Sequence, residues 1–530
     1  MIDAYEIIEF SRRFIDGSAL DHSTKSLWLW AHWNPGLPLF LSPFIAFFGA
    51  TELLIASTAR WTLSMPCGMI TLIPFLILRD VMSLRARVII SLLLSLWPGQ
   101  IIFGGVILTD NLVMLPTIAL ACFTIRAGVL RTCYPIWSGA IFALAVCIRQ
   151  ETLITNIPLL IVPLGFTPLT INSRRRLFLG GAIILSFLVA LAIVRWEATD
   201  RFAITTTHTG TSLLGAFSPG AHLTGYIDYQ AFASTFDSII TDDDALRLAF
   251  KEALNRPGFH IIRIIGSIIY HLKVGDGDTW WTFGNLSNAD KGTGSVSEEL
   301  PWSVLDDSKI IPSKRQSIAK KVSNVFTKVV KVYQPILYVL FFTCMVVTIN
   351  KGWWAITLVG LGSVIRVIFH GLTVIQPRFL LVGTALEAIV IVQTINLFGK
   401  NRKGWRLVGS SLLVGLMFVG IINWSEPYFW SYVIRHDKLQ RTYKFALTAY
   451  RHTPSIDGSW IAGKMRCMVN EGTVQYLNEA QAQLRLLKDD PSPGDRAIAN
   501  CMFEPYLSGS YSLVVKDSSH KGGSSDKVVL

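Results

Sequence analysis

The run Ile107-Leu108-Thr109-Asp110-Asn111-Leu112 decides the fold. It sets one carboxylate between two apolar stretches, about 88–108 and 110–126, with no room for a loop between them. A charge lodged at the junction of two membrane spans is costly, and residues kept there usually serve a purpose. Outward from this point the same texture continues. Apolar residues make up 51% of the 530, and mean hydropathy is +0.45, more than a soluble core would hide. Many windows approach the roughly 20 apolar residues that a helical span needs. Lipid requires every backbone polar group to be satisfied within its own segment. The chain therefore reads as an α-helical polytopic membrane protein with about ten spans. They are expected near 53–78, 88–108, 110–126, 133–148, 151–171, 177–195, 333–350, 353–373, 378–398 and 406–423.

The net charge of +12 is explained by orientation rather than by nucleic acid. One set of short loops carries the cations: Arg79, Arg85 and Arg87; Arg126 and Arg131; Arg174, Arg175 and Arg176; Lys351; and Lys400, Arg402, Lys403 and Arg406. The alternate set, at Asp110, Arg149 and 372–377, carries few. The positive-inside rule makes the first set cytoplasmic. Asp110, Arg149, the loop 196–332 and the tail from 424 are then extracytoplasmic. Residues 1–52 fall outside as well, although the first 34 residues hold neither a span nor a signal peptide. The expectation is a missing leading span. The far end also reads as cut: Tyr511-Ser512-Leu513-Val514-Val515 has the pattern of a strand, and Lys527-Val528-Val529-Leu530 begins another.

Two domains follow. Residues 1–423 form the transmembrane domain, with extracytoplasmic loops 1–52 and 196–332. Residues 424–530, where apolar runs shorten, form an extracytoplasmic carboxyl-terminal domain of α+β or β type, of ordinary size but incomplete. Within the first loop, 3–17 reads as an amphipathic helix with Ile7, Ile8, Phe10, Phe14 and Ile15 on one side, ended by Gly17. Residues 35–48, punctuated by Pro35, Pro38 and Pro43, suit a helix lying at the interface. The long loop holds helical stretches near 242–255 and 258–273.

Of seven cysteines, five (Cys67, Cys122, Cys133, Cys147, Cys344) sit in or beside spans, as small buried hydrophobes. Cys467 and Cys501 lie in the outer tail, where a disulfide between them is open. The ten histidines show no metal-ligand spacing. Asp242-Asp243-Asp244 and Asp276-Gly277-Asp278 look like the acidic strings of nucleotide-sugar enzymes, but one opens a helix and the other lies in a glycine-rich loop. Capping and solvation account for them. No metal or other cofactor is required by this reading, and nothing in the sequence supports a divalent ion. Arg366 and Glu387 sit inside neighbouring spans, roughly 10–13 Å from the outer ends at 1.5 Å per residue, and are expected to form a structural ion pair.

Several stretches resemble one family. Asp3-Ala-Tyr-Glu-Ile-Ile-Glu-Phe-Ser-Arg-Arg-Phe-Ile-Asp-Gly17 is similar to the first outer loop of bacterial GT-C class membrane glycosyltransferases, relatives of the protein O-mannosyltransferases and the lipid A aminoarabinose transferase. His32-Trp33-Asn34-Pro35-Gly36-Leu37-Pro38-Leu39 resembles that family's His/Lys-x-Pro-Gly-x-Pro-Leu segment. Thr109-Asp110 matches its second acidic site, Ile148-Arg149-Gln150-Glu151 its Arg-Pro-Glu turn, and Gln376-Pro377-Arg378-Phe379 its late Arg-Tyr element. The chain departs from the pattern at Ala4, Ile7, Gln150 and Phe379, where the family has Glu, Tyr, Pro and Tyr.

The resemblance implies a GT-C-like fold, a polyprenyl-phosphate sugar as donor, a glycan, lipid or protein as acceptor, and an active site on the outer face of a bacterial plasma membrane. Transfer from a lipid phosphate to a hydroxyl needs a base, cations for the departing phosphate and a groove for the prenyl chain, and proceeds by a single inverting displacement. By family position Asp3 is the candidate base, with Asp110 and Glu6 as its acidic companions. Arg149 and Arg378 are candidates for the donor phosphate, since guanidinium matches phosphate geometry, with His32 and Lys25 beside them. Each acid has a plainer role too, Asp3 in a helix's first turn and Asp110 as a helix cap, and the arginines can snorkel. Two other function classes fit a polytopic chain. A secondary transporter would show repeated halves and midplane polar sites; a non-catalytic scaffold for cell-envelope assembly would work through its tail.

Overall fold

The computed structural model describes residues 2–23, 26–27, 29–30, 33–49, 52–97, 99–100, 109–132, 134–164, 171–200, 202–204, 213, 216–217, 242–255, 257–274, 313–373, 380–398, 409, 411–417, 419–422, 512–514 and 527–529. They are almost entirely helical, and the chain divides into two compact units. The first comprises Met1–Thr209, Ile268–His370 and Ile375–Trp424; the second comprises Gly210–Ser267, Gly371–Val374 and Ser425–Leu530.

The amino end is α1 (Ile2–Ile15). It stops before Gly17, which takes the left-handed backbone, φ 73°, that a residue without Cβ adopts freely. Ile7 and Phe10 are fully buried, as the amphipathic pattern requires. Phe10 meets Trp30 edge-on at 5.1 Å, and the Trp30 indole donates to the Ala19 carbonyl at 2.8 Å. The turn that follows is held by polar groups. Arg13 donates to Asp21, Ser23 and Ser26, while Asp21 accepts from the hydroxyl and backbone N–H of Ser23. Hydrogen bonds from Ser26 and Ser23, with the nearby Arg13 charge, hold the Asp21 carboxyl well below the usual range. A depressed carboxyl stabilises the fold above its ordinary value of 3.8 and loses that contribution as pH falls through its folded value. Amide protection factors beside Asp21 should therefore hold steady down to about pH 4 and fall only in stronger acid; Asp21→Asn should remove that acid step.

Helix α2 (Gly36–Phe48) is 13 residues long, too short to cross a bilayer. It buries Leu37, Leu41 and Ile45 and leaves Phe47 and Phe48 exposed, as an interfacial helix would. The bundle follows: α3 (Glu52–Ile77), α4 (Leu84–Ser95), α5 (Thr109–Leu130), α6 (Pro135–Ile148), α7 (Thr152–Thr155), α8 (Ile157–Leu164) and α9 (Ile171–Thr199). Further along the chain come α10 (Asp242–Asn255), α11 (Pro257–Val274), α12 (Ser313–Asn350), α13 (Trp354–Leu372) and α14 (Leu381–Phe398). Among the described residues, five helical segments are long and apolar enough to cross a membrane: Thr109–Leu130, Phe178–Thr199, Tyr333–Asn350, Trp354–Leu372 and Leu381–Phe398. Trp61–Ile77, Pro135–Ile148 and Ser411–Ile422 are apolar but shorter.

The span expected at 151–171 is corrected. It is broken into α7 and α8. Pro158 cannot donate into a continuous ladder and disfavours helix in the residue before it. Side chains of α5 bond to the broken segment: Thr124 donates to the Leu159 carbonyl at 2.5 Å, and Thr117 accepts from Asn156 at 3.1 Å.

Within the first unit, α3 packs on α4 and α5, α5 on α6 and α8, α6 on α9, and α14 on α4, α5 and α12. The α6–α9 crossing is close. A Cβ at Gly180 would sit 2.6 Å from the Pro135 carbonyl oxygen, and one at Gly139 would sit 2.7 Å from the Gly180 carbonyl oxygen. Small residues let the two backbones touch where lipid supplies no hydrophobic drive. Gly180→Leu should separate them and cost about 1–3 kcal/mol, read as a lower thermal midpoint in lipid discs.

The carboxyl-terminal parts of α3 and α5 meet at one end of this unit. Arg126 pairs with Asp80 at 2.5 Å and donates to the Ile77 carbonyl. Ser83, which caps α4, donates to Asn396 at 3.0 Å. A cavity of about 660 Å³ lies at this end, lined by Gly128, Trp353, Trp354, Ala355 and Leu397 among others.

In the second unit, α10 and α11 fall where the sequence pattern places them, with Pro257 opening α11 as proline does at a first helical position. The two strand-like runs of the tail, β1 (Ser512–Val514) and β2 (Lys527–Val529), pair antiparallel with Leu513 opposite Val528. The rest of the tail from 424, including Cys467 and Cys501, lies outside the described residues. Cys122, Cys147 and Cys344 are buried free thiols.

Candidate functional site: a buried charge cluster

At the other end of α5, separate stretches of the first unit converge. Asp110 stands in the first turn of α5 and is 2% exposed. Arg149 caps the carboxyl end of α6 with extended backbone, φ −152° and ψ 115°. This turns its side chain out of the helix register and brings its Nη1 onto Asp110 Oδ1 and its Nε onto Glu151 Oε1, two close ion pairs. Glu151, at the entry to α7, also faces Arg366 Nη1 at 3.6 Å and His370 Nε2 at 3.7 Å, both from the last turns of α13. Arg366 donates further to Thr155 at 2.8 Å and to Asn156 at 3.4 Å. One carboxylate thus gathers two guanidiniums and an imidazole, and the helix break at Asn156 supplies the polar groups that complete Arg366. Two acids thus balance two guanidiniums, the condition on which ions tolerate burial.

The first outer segment is tied to the same place. The Trp33 indole donates to Glu6 at 2.7 Å. Asn34 donates to the Val146 carbonyl at 3.4 Å and accepts a close hydrogen bond from Arg195. A Cβ on Gly36 would lie 2.7 Å from the Cys147 carbonyl carbon and the Ile148 nitrogen. The start of α2 therefore presses on the backbone turn that precedes Arg149, and only glycine fits.

Several sequence expectations meet here and one is corrected. Asp110 and Arg149, assigned to acid and phosphate roles, contact each other directly. Glu6 is joined through Trp33 to the segment that abuts α6. Arg366 does not pair with Glu387: its carboxylate partner is Glu151, and Glu387 instead accepts from Ser363 at 2.7 Å. Equal depth in neighbouring spans is compatible with either partner, and the α7–α8 break brings Glu151 within reach. Asp3 lies in α1, but its side chain, like Lys25, His32, Arg378 and both acids of the 276–278 string, falls outside the described residues. Glu151 and His370 are the members that sequence reasoning left without a role. Glu151 carried the same signal as Asp110, an acid opening an apolar run. Among the described residues, no group of three or more His, Cys, Asp or Glu side chains is arranged to hold a metal ion.

No protein-family model matches the chain, and no curated protein matches it. Among solved structures, the apo form of an oligosaccharyltransferase from Archaeoglobus fulgidus aligns over 83% of this chain and 52% of that one, at TM-score 0.34 and 15% identity. The chain thus spans about half of that enzyme's length. A likeness at this level adds no weight to the functional assignment.

Proposed function

We propose that the chain transfers a sugar from a polyprenyl-phosphate donor to an acceptor hydroxyl at the outer membrane face, with inversion and without a required metal. The observation that supports this reading most is the Asp110–Arg149–Glu151–Arg366–His370 cluster, built from three stretches at one end of a helical unit. A transporter is expected to hold its polar groups near the midplane, whereas these cluster at helix ends. In this reading Arg149 meets the donor phosphate and is aimed by Asp110 and Glu151, so that the site's cation is set before the substrate arrives. Asp3 removes the acceptor proton, Glu6 lies beside it, and Arg378, His32 and Lys25 add positive charge toward the phosphate.

The chemistry balances simply: the acceptor oxygen bonds to the anomeric carbon, the carbon–phosphate-oxygen bond breaks, the proton goes to the base, and the lipid phosphate departs with the electron pair. The test is membranes carrying the full chain, incubated with a panel of polyprenyl-phosphate sugars and read for transferred sugar. Transfer from at least one donor, lost in Asp3→Asn, supports the reading; failure with every donor alongside solute flux replaces it with transport.

A further inference from the structure

Among the described residues of the second unit, one buried cation has few partners. Arg263 of α11 is fully buried. Its Nη2 donates to the Leu372 carbonyl at 3.4 Å, the weak end of the hydrogen-bond range, and its guanidinium carbon stands 5.6 Å over the Phe217 ring. Among the described residues, Nε and Nη1 have no acceptor, and neither does the buried hydroxyl of Ser267. A guanidinium removed from water without an anion is heavily penalised.

Helix α11 is also inside out. His260, Arg263 and Ser267, spaced three and four apart and so on one face, are buried, while Ile261 and Ile265 are exposed. The His260 ring packs on Phe217 and Phe259, each at 5.2 Å. A polar face turned inward, with apolar side chains left outside, places ionisable groups where burial demands a partner.

We propose that this face is a binding site for a phosphate group, taken by Arg263 and Ser267 and walled by Phe217 and His260. Phosphate fits better than carboxylate because its oxygens can meet both free nitrogens and the hydroxyl together. A lipid headgroup and a free solute offer the same phosphate chemistry, and the inference does not depend on any transfer reaction.

The test uses the full chain in dodecyl maltoside micelles, which carry no phosphate, with inorganic phosphate added to one series and a polyprenyl monophosphate incorporated in another. Thermal midpoint and binding are both read. Without phosphate, Arg263→Gln should melt no lower than the parent, since it removes an unpaired charge. With phosphate the parent alone should gain stability, and Arg263→Gln should weaken binding about tenfold or more, which is about 1.4 kcal/mol. Ser267→Ala, a milder change, should weaken it less. Stabilisation by the lipid alone assigns the site to a headgroup; stabilisation by both probes assigns it to phosphate in general. If neither probe binds the parent, or if Arg263→Gln melts lower under all conditions with binding unchanged, Arg263 is structural and the site is refuted.

Discussion

Replacing Glu151 with alanine should cost about 3–5 kcal/mol, the usual penalty for taking away one partner of a buried ion pair. The reason is local. Glu151 is the carboxylate shared by Arg149, Arg366 and His370, and Arg366 is almost wholly sheltered, at 1% side-chain exposure. Arg149 keeps Asp110, but Arg366 would keep only the neutral Thr155 and Asn156. The measurement is unfolding in lipid discs. A double-mutant cycle sharpens it: Glu151→Leu with Arg366→Met removes both charges, and an apolar pair of similar volume in such a place is often no worse than the ions. The double variant should therefore recover much of the stability that Glu151→Leu alone loses. Strict additivity would mean that Glu151 and Arg366 do not interact.

The second large effect is on transfer. Asp110→Asn should lower the rate by roughly 100-fold, the scale on which a misplacement of about 1 Å acts. The substitution keeps shape and removes the charge that draws Arg149 across from α6. Asp110 acts through Arg149 in this account, so Arg149→Lys, which keeps charge but loses the planar fork, should give a similar loss. Asp3→Asn should do at least as much, about 10²–10⁴-fold, because it removes the proposed base itself. All three should insert normally. Undiminished transfer in Asp110→Asn and Asp3→Asn would leave the cluster with a structural role alone.

Much of the helical framework was legible because apolar run length and helix punctuation are local signals. Gly17 and Pro257 mark boundaries that the structure keeps, and the two short strand patterns of the tail do pair. The site was legible in part. Asp110 and Arg149 were singled out separately, as charges at span ends, and their contact follows from helices that run in opposite directions. The partner of Arg366 was not legible. Choosing Glu151 over Glu387 depends on where the chain breaks at Asn156–Pro158 and on which face of α13 meets that break. Hydrophobic periodicity is silent on both, since a proline in an apolar run is as common in a kinked span as in an interrupted one.

The two polar assemblies of the first unit differ in their access to water, and that difference sets how each answers to dissolved ions. Around Asp21 the acid is about two-fifths open, at 38% side-chain exposure, so electrolyte reaches it and should slacken its attraction to Arg13 within a Debye length of about 8–10 Å. Around Glu151 the pairs are shut away and their charges cancel. Electrolyte screens such close and more sheltered pairs much less, Arg149 and Glu151 being 11% exposed. Raising ionic strength should thus loosen the amino-terminal turn while changing the Glu151 pairs little, so that brine separates the two in one titration.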